Sequence, residues 1–126
     1  MPAGKDFPWF PFYTRHFTAS RNVRKMTNEQ VGMYLKLLIA QWEDGPFSRD
    51  MDDIAELCDC DSITLSPLWR RLSMCFVESA EGLLYNEFLE EVREEQIEKH
   101  ERAVRAGKMG AEANRRKKES DAKAGL

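Results

Sequence analysis

The sequence predicts a mainly α protein with a small β-hairpin, which is an α+β fold class. Two observations lead to this prediction. Apolar residues recur at helical spacing in three successive segments between residues 28 and 74, and helix-breaking sequences separate those segments. Two short β-prone runs then flank the glycine-containing sequence "AEG", which is the pattern of a hairpin. The helical pattern returns at residue 86 and continues to about residue 105.

The first predicted helix covers residues 28–42. Thr27 and Gln30 have the spacing of a capping box, in which each residue satisfies a backbone N–H of the other. Gly45 and Pro46 cannot continue the helix and end it. The apolar face consists of Val31, Tyr34, Leu35, Leu38 and Trp42, and it is widened by Leu37 and Ile39.

Two further helices follow, joined by a turn. The second covers residues 51–58 with Asp50 as its N-cap, and the sequence "DCDS" is typical of the turn. The third covers at least residues 67–74, with Ser66 as its N-cap and Pro67 as its first residue. Residues 63–65 belong either to this helix or to the turn.

The order of these elements predicts the architecture. Two short helices joined by a turn form a helix-turn-helix, and a hairpin directly after the third helix makes the domain winged-helix-like. We assign this domain, with an N-terminal aromatic arm, to residues 7–97. A long C-terminal helix closes it. Residues 98–126 form a charged basic tail that is either helical or disordered, because the segment has no core pattern.

Charge is divided into alternating blocks, although the formal net charge is only -3. Residues 1–25 carry five Lys or Arg against one Asp, and residues 102–118 carry seven against one Glu. Residues 41–61 carry eight Asp or Glu against one Arg, and residues 86–98 carry six Glu against one Arg. The total therefore excludes a uniformly basic nucleic-acid binder but leaves two separate cationic segments.

Motifs for catalysis and metal binding are missing from the sequence. It has no serine–histidine–aspartate pattern, Walker motif or glycine-rich phosphate loop, so we expect no enzyme, no catalytic residue and no cofactor. Cys58 and Cys60 form only a C-x-C pair, and we expect core thiols rather than a metal site. An odd number of cysteines, with no signal peptide or membrane-length apolar run, predicts a reduced, cytoplasmic protein without a membrane partner.

An aromatic arm opens the chain. The sequence "FPWFPFYTRHF" holds five Phe or Trp and one Tyr within eleven positions. Full burial of one such ring contributes about 1.5–3 kcal/mol, so we expect an irregular arm laid across the helical core. Pro8 and Pro11 favour an extended backbone there. Two alternatives stay open, namely base stacking on Trp9 or Phe10 and burial against a second copy in a homo-dimer.

Several pieces of the chain, in this order, resemble a known family. They are "FPWFPFYTRHFTAS", "MTNEQVGMYLKLLIAQWEDGPF", "IAELCDCD", "CFVESAEGLLYNEFLEE" and "RAVRAGKMGAEANRR". The chain is similar to the YdaU-like domain family of phages and prophages, DUF1376, over roughly residues 7–116. This resemblance implies a winged-helix-type fold, a role in DNA replication or its control, and a bacterial host cell. It implies no particular set of binding residues.

The predicted nucleic-acid contacts are cations and hydroxyls outside the core. In a recognition helix, Arg70 and Arg71 would reach the major groove, and Thr64 and Ser66 would contact phosphates or bases. Alternatively, the two arginines face the acidic second helix. The full predicted set is Arg21, Arg24, Lys25, Thr64, Ser66, Arg70, Arg71, Arg105, Lys108, Arg115, Arg116, Lys117 and Lys118.

Three functional hypotheses follow. The first is a small phage-type DNA-binding protein that acts in replication initiation or its regulation, with duplex DNA as its partner. The second is a protein-interaction module that docks on a host replication protein through the acidic helix and the aromatic arm. The third is a transcriptional repressor, which would need a dimer and a palindromic operator.

Overall fold

The computed structural model describes residues 7–123, which form a mainly helical structure with one two-stranded antiparallel sheet, as predicted. The elements are α1 (Thr14–Ala19), α2 (Arg21–Arg24), α3 (Asn28–Asp44), α4 (Met51–Leu57), α5 (Ser62–Ser73), β1 (Val77–Glu78), β2 (Leu84–Tyr85) and α6 (Glu87–Lys123). The chain divides into two compact units after Arg93. None of the described helices combines the length and the apolar character needed to cross a bilayer.

Helix α3 is the centre of the first unit. The predicted capping box is confirmed: the Gln30 N–H donates to Thr27 Oγ1 at 3.2 Å, and the Thr27 N–H donates to Gln30 Oε1 at 2.9 Å. Leu37 is fully buried in the core. The assignment of Ile39 to the apolar face is wrong, because its side chain is 46% exposed. The helix ends at Gly45, whose φ of 89° is a conformation that favours glycine.

Helices α4 and α5 pack on each other and on α3. Asp50 is the N-cap of α4, as predicted. The predicted N-cap of α5, Ser66, is wrong, because the helix begins at Ser62 and not at Pro67, and residues 63–65, for which two alternatives were open, belong to the helix. Asp61 is its N-cap, and Asp61 Oδ1 accepts a hydrogen bond from the Thr64 N–H at 2.7 Å. The Asp61 carboxylate accepts from the first N–H groups of the helix, so α5 starts five residues before the start that a Ser66 cap would give. Pro67 lies inside the helix and costs it one backbone hydrogen bond.

The hairpin after α5 is confirmed. Val77 pairs with Tyr85, and Glu78 pairs with Leu84. Phe47, in the segment between α3 and α4, extends the sheet by an isolated bridge to Leu84. The Phe47 N–H donates to the Leu84 carbonyl at 2.9 Å, and the Leu84 N–H donates back at 2.7 Å. The hairpin is thereby joined to the first half of the domain.

The aromatic arm is anchored to the core at some rings and exposed at others. The Trp42 indole N–H donates to the carbonyl of Phe7 at 2.6 Å, and the ring of Phe10 lies 5.2 Å from that of Trp42. The expectation of an irregular, covering arm is wrong in two respects. Its last residues are helical, because α1 begins at Thr14. Trp9 is 66% exposed and Phe12 is 47% exposed, although the Phe12 ring lies 5.1 Å from that of Phe17.

A buried guanidinium joins the end of α3 to the start of α6. Arg93 is 1% exposed, and its Nη2 donates to the carbonyls of Gln41 at 2.9 Å and Trp42 at 2.7 Å. Its Nε donates to Glu90 Oε2 at 3.2 Å. The guanidinium carbon also lies 4.4 Å from the centre of the Trp42 ring. Arg93 thus satisfies the Trp42 carbonyl in the last turn of α3 and shares the Gln41 carbonyl with the Gly45 N–H, which donates to it at 2.8 Å.

The second unit consists of α6 from Glu94 onward. The tail is helical through Lys123, which is the first of the two alternatives for residues 98–126, and residues 124–126 lie outside the described part. Every side chain described from Glu98 to Ala122 is exposed. Arg116 forms an i,i+4 ion pair with Glu112 at 2.9 Å.

Candidate nucleic-acid interface

Helix α2 is capped at its start, packed on the core and hydrogen-bonded to the end of α5. The Ser20 hydroxyl accepts a hydrogen bond from the Val23 N–H at 3.3 Å and so caps α2. The Val23 side chain is buried in the core. Asn22 Nδ2 donates to the carbonyl of Met74, the C-cap of α5, at 3.5 Å. With one face of α2 buried in this way, the basic side chains of the segment are exposed; they are Arg21, Arg24 and Lys25.

Helix α5 presents its arginines on the same side. Leu72 is fully buried, and Arg70, which is two positions away on the helix, is therefore directed outward and exposed. Gln30 Nε2 donates to the Leu68 carbonyl at 3.1 Å and fixes α5 against the start of α3. Arg71 is partly exposed. The outward direction predicted for these arginines holds for Arg70 fully and for Arg71 in part.

The two helices form one basic surface. A groove is lined by Lys25, Gln30, Pro67, Arg70, Arg71 and Met74. A second concave surface is lined by Arg21, Arg24 and Lys25. Lys25 belongs to both, so the two are continuous. We call the five cations Arg21, Arg24, Lys25, Arg70 and Arg71 the cationic face.

Carboxylates in the described part of the chain do not pair with the cationic face. Among the described residues, none of its five members forms an ion pair. Arg70 and Arg71 therefore form no ion pair with the acidic helix α4, which was the alternative prediction. Arg71 instead directs Nη1 toward the sulfur of Met74 at 3.9 Å. Five unpaired cations on one surface attract anions, and their field is strongest within a Debye length of about 8 Å at physiological salt.

The two predicted hydroxyl contacts lie elsewhere. Thr64 donates its backbone N–H and its hydroxyl to the carboxylate of Asp61, and these bonds lower the pKa of Asp61. Ser66 is exposed and lines a separate groove with Met51, Ser62, Ile63 and Pro67. Neither hydroxyl lines the cationic face.

The predicted cations of the tail all lie in the second unit and are exposed. They are Arg105, Lys108, Arg115, Arg116, Lys117 and Lys118. Arg116 is partly neutralised by Glu112, and the other five form no ion pair among the described residues.

The residues considered for a metal site do not come together. Burial raises the pKa of the Cys58 thiol to about 11 and that of the Cys75 thiol to about 11, so both are neutral thiols at physiological pH. His16 lies in α1 with its ring stacked on Phe88 at 3.5 Å. Within residues 7–123, no group of three or more His, Cys, Asp or Glu is placed to share a metal ion.

Comparisons with protein-family models, with curated proteins and with solved structures find no match for this chain. The resemblance to the YdaU-like family therefore stays a prediction.

Proposed function

We propose that this chain binds duplex DNA through the cationic face and acts in phage or prophage DNA replication initiation or its regulation. The observation that supports binding most directly is the set of five unpaired cations contributed by α2 and α5. The replication role is supported by the sequence resemblance alone. The chemistry on the interface is attraction between guanidinium or ammonium groups and phosphates, with no bond made or broken.

The order of elements supports a winged-helix-like reading of the first unit. α3, α4, a turn, α5 and a hairpin follow one another, and the Phe47–Leu84 bridge adds a third segment to the hairpin. In this reading α5 is the recognition helix, and Arg70 on its outer face contacts guanine or a phosphate. Arg21, Arg24 and Lys25 then contact the adjacent backbone.

The net charge of -3 does not oppose this proposal. Charges farther from the DNA than a Debye length, about 8 Å at physiological salt, are largely screened. The cationic face therefore acts as a local surface, and the acids of α4 matter only where they come within that distance. The tail cations supply a second, sequence-independent phosphate contact.

Binding to a labelled duplex, followed by fluorescence anisotropy across salt, tests the proposal. If all five cations meet phosphates, they contribute about -4.5 to the slope of log affinity against log salt, since each contact contributes about -0.9, and phosphate contacts of the tail make the slope steeper. The variant Arg70→Ala/Arg71→Ala should reduce the steepness of this slope by about 2 and weaken binding.

A matched control separates local from general charge effects. Lys36→Ala/Arg49→Ala also removes two cations, but both are already paired, with Asp59 at 2.8 Å and with Glu78 at 2.8 Å. This variant should keep the wild-type slope. The proposal is wrong if both double variants behave alike, or if wild-type binding is insensitive to salt. Tighter binding to a single strand of the same sequence would contradict the duplex preference.

A further inference from the structure

A second groove lies at the N-terminal ends of α4 and α5, and its lining is largely apolar. It is lined by Met51, Ser62, Ile63, Ser66 and Pro67. Ile63 is 84% exposed, more than any other large hydrophobic side chain among the described residues. An isoleucine in the first turn of a helix gains nothing from water contact, and exposed apolar surface of this kind marks docking sites.

Four carboxylates lie close in the sequence to residues that line this groove. Asp50 and Asp52 flank Met51, and Asp61 precedes Ser62. Asp53 follows Asp52 in α4 and lines a different groove together with Pro46 and Phe47. All four are exposed, and none forms an ion pair among the described residues. Asp50 and Asp61 each use one carboxylate oxygen to cap a helix. We call this apolar groove, with the four carboxylates next to its lining residues in the chain, the acidic groove.

The charge of the acidic groove selects its occupant. Nucleic acid is repelled by four unpaired carboxylates, whereas a cationic segment that also carries an exposed apolar side chain is complementary to them. The chain contains such a segment in its second unit. Residues 102–118, the basic tail segment, hold seven Lys or Arg against one Glu. Val104 and Met109 in this segment are 41% and 72% exposed.

We propose that the acidic groove of one molecule receives the basic tail segment of a second copy. Tail cations meet the four carboxylates of the acidic groove, and the flexible Met109 side chain packs against Ile63 and Met51. The contact joins two different surfaces, so it is heterologous and permits chains of molecules as well as closed rings. It does not depend on DNA binding by the cationic face.

Reciprocal charge reversal in the full-length protein tests this proposal. One variant, Asp52→Lys/Asp53→Lys, changes the summed formal charge of the four carboxylate positions from -4 to 0 and leaves the Asp50 cap in place. The other, Arg115→Glu/Lys118→Glu, lowers the formal charge of the basic tail segment from +6 to +2 and leaves the Arg116–Glu112 pair in place. In sedimentation velocity at low salt, the wild type should associate with rising concentration, and each variant alone should associate more weakly because one of its two contacting surfaces has lost most of its charge.

Mixing the two variants gives the decisive result. The unchanged groove of the tail variant then meets the unchanged tail of the groove variant, so an equimolar mixture should form one-to-one dimers, and high salt should dissociate them. Ile63→Ser, which changes no charge, should weaken wild-type association several-fold. Glu29→Lys/Glu81→Lys, with the same total charge change at exposed sites outside the groove, should associate like the wild type. Circular dichroism of each variant confirms that it is folded.

Several results would overturn the proposal. A wild type that is monomeric at all concentrations and salts excludes the second copy as occupant. A mixture that stays monomeric shows that the reversed groups do not face each other. Association that is unchanged by Ile63→Ser, or that is lost equally in the Glu29→Lys/Glu81→Lys control, shows that the acidic groove is not the docking surface.

Discussion

Replacing Arg93 with alanine tests whether one buried guanidinium holds the end of α3 to the start of α6. The substitution removes hydrogen bonds of 2.7 and 2.9 Å to two carbonyls and one of 3.2 Å to Glu90. It also leaves the Glu90 charge without its partner in a site where its side chain is only 12% exposed. Loss of one partner of a buried ion pair lowers the free energy of unfolding by about 3–5 kcal/mol. That is a large part of the roughly 5–15 kcal/mol typical of a domain.

The dependence of Glu90 on Arg93 makes a sharper test. Glu90 Oε1 is buried and has no hydrogen-bond partner among the described residues, so this carboxylate is poorly satisfied even in the wild type. Removing both charges in Glu90→Leu/Arg93→Met should therefore destabilise the protein less than Arg93→Met alone. The two substitutions should show a coupling energy of about 1–3 kcal/mol.

Urea unfolding followed by tryptophan fluorescence measures these changes, because the Trp42 ring lies against Arg93. Arg49→Ala is the control, since its pair with Glu78 is exposed and contributes at most about 1 kcal/mol. A loss below about 1 kcal/mol for Arg93→Ala, or strictly additive effects in the double variant, would refute the reasoning.

Two further predictions concern stability. Gly32 lies in α3 with open space at its Cβ position, so Gly32→Ala should raise the unfolding free energy by about 0.5–1 kcal/mol. Gly45→Ala should lower the unfolding free energy, because a φ of 89° strains alanine. Urea unfolding measures both variants, and changes of the same sign in the two would contradict this reasoning. Burial raises the pKa of the Cys58 and Cys75 thiols from 9.0 to about 11. The unfolded chain loses these thiol protons at lower pH than the folded one, so the unfolding free energy should fall as pH rises from 9 toward 11. An unfolding free energy that does not change over this range would contradict the prediction.

Local signals predicted much of the helical framework. The capping box of Thr27 and Gln30, the Asp50 cap and the hairpin turn are all formed by residues within a few positions of each other, and all are confirmed. The start of α5 was mispredicted because two capping signals lie in the same stretch. Pro67 is a strong marker of a first turn, but the Asp61 carboxylate caps the helix earlier.

The candidate interface needed the tertiary structure. In the sequence, Arg70 and Arg71 lie in one predicted helix, and Arg21, Arg24 and Lys25 lie in the basic segment near the start of the chain. No local pattern predicts that these two groups form one surface. The structure makes them continuous, because Asn22 bonds to the carbonyl of Met74, which is 52 positions away. Gln30 and Met74 line the same groove, and no local pattern predicts either of them there.

The sequence by itself determined the bounds of α3 and α4 to within a few residues, the position of the hairpin, and how acidic and basic blocks alternate, because caps, breakers and charge are properties of neighbouring residues. Only the tertiary structure decided which cations share a surface and that Arg93 is buried while Trp9 is exposed. The burial of a side chain depends on whether residues distant in sequence supply its hydrogen-bond partners and exclude water from it. A pattern of neighbouring residues does not contain that information.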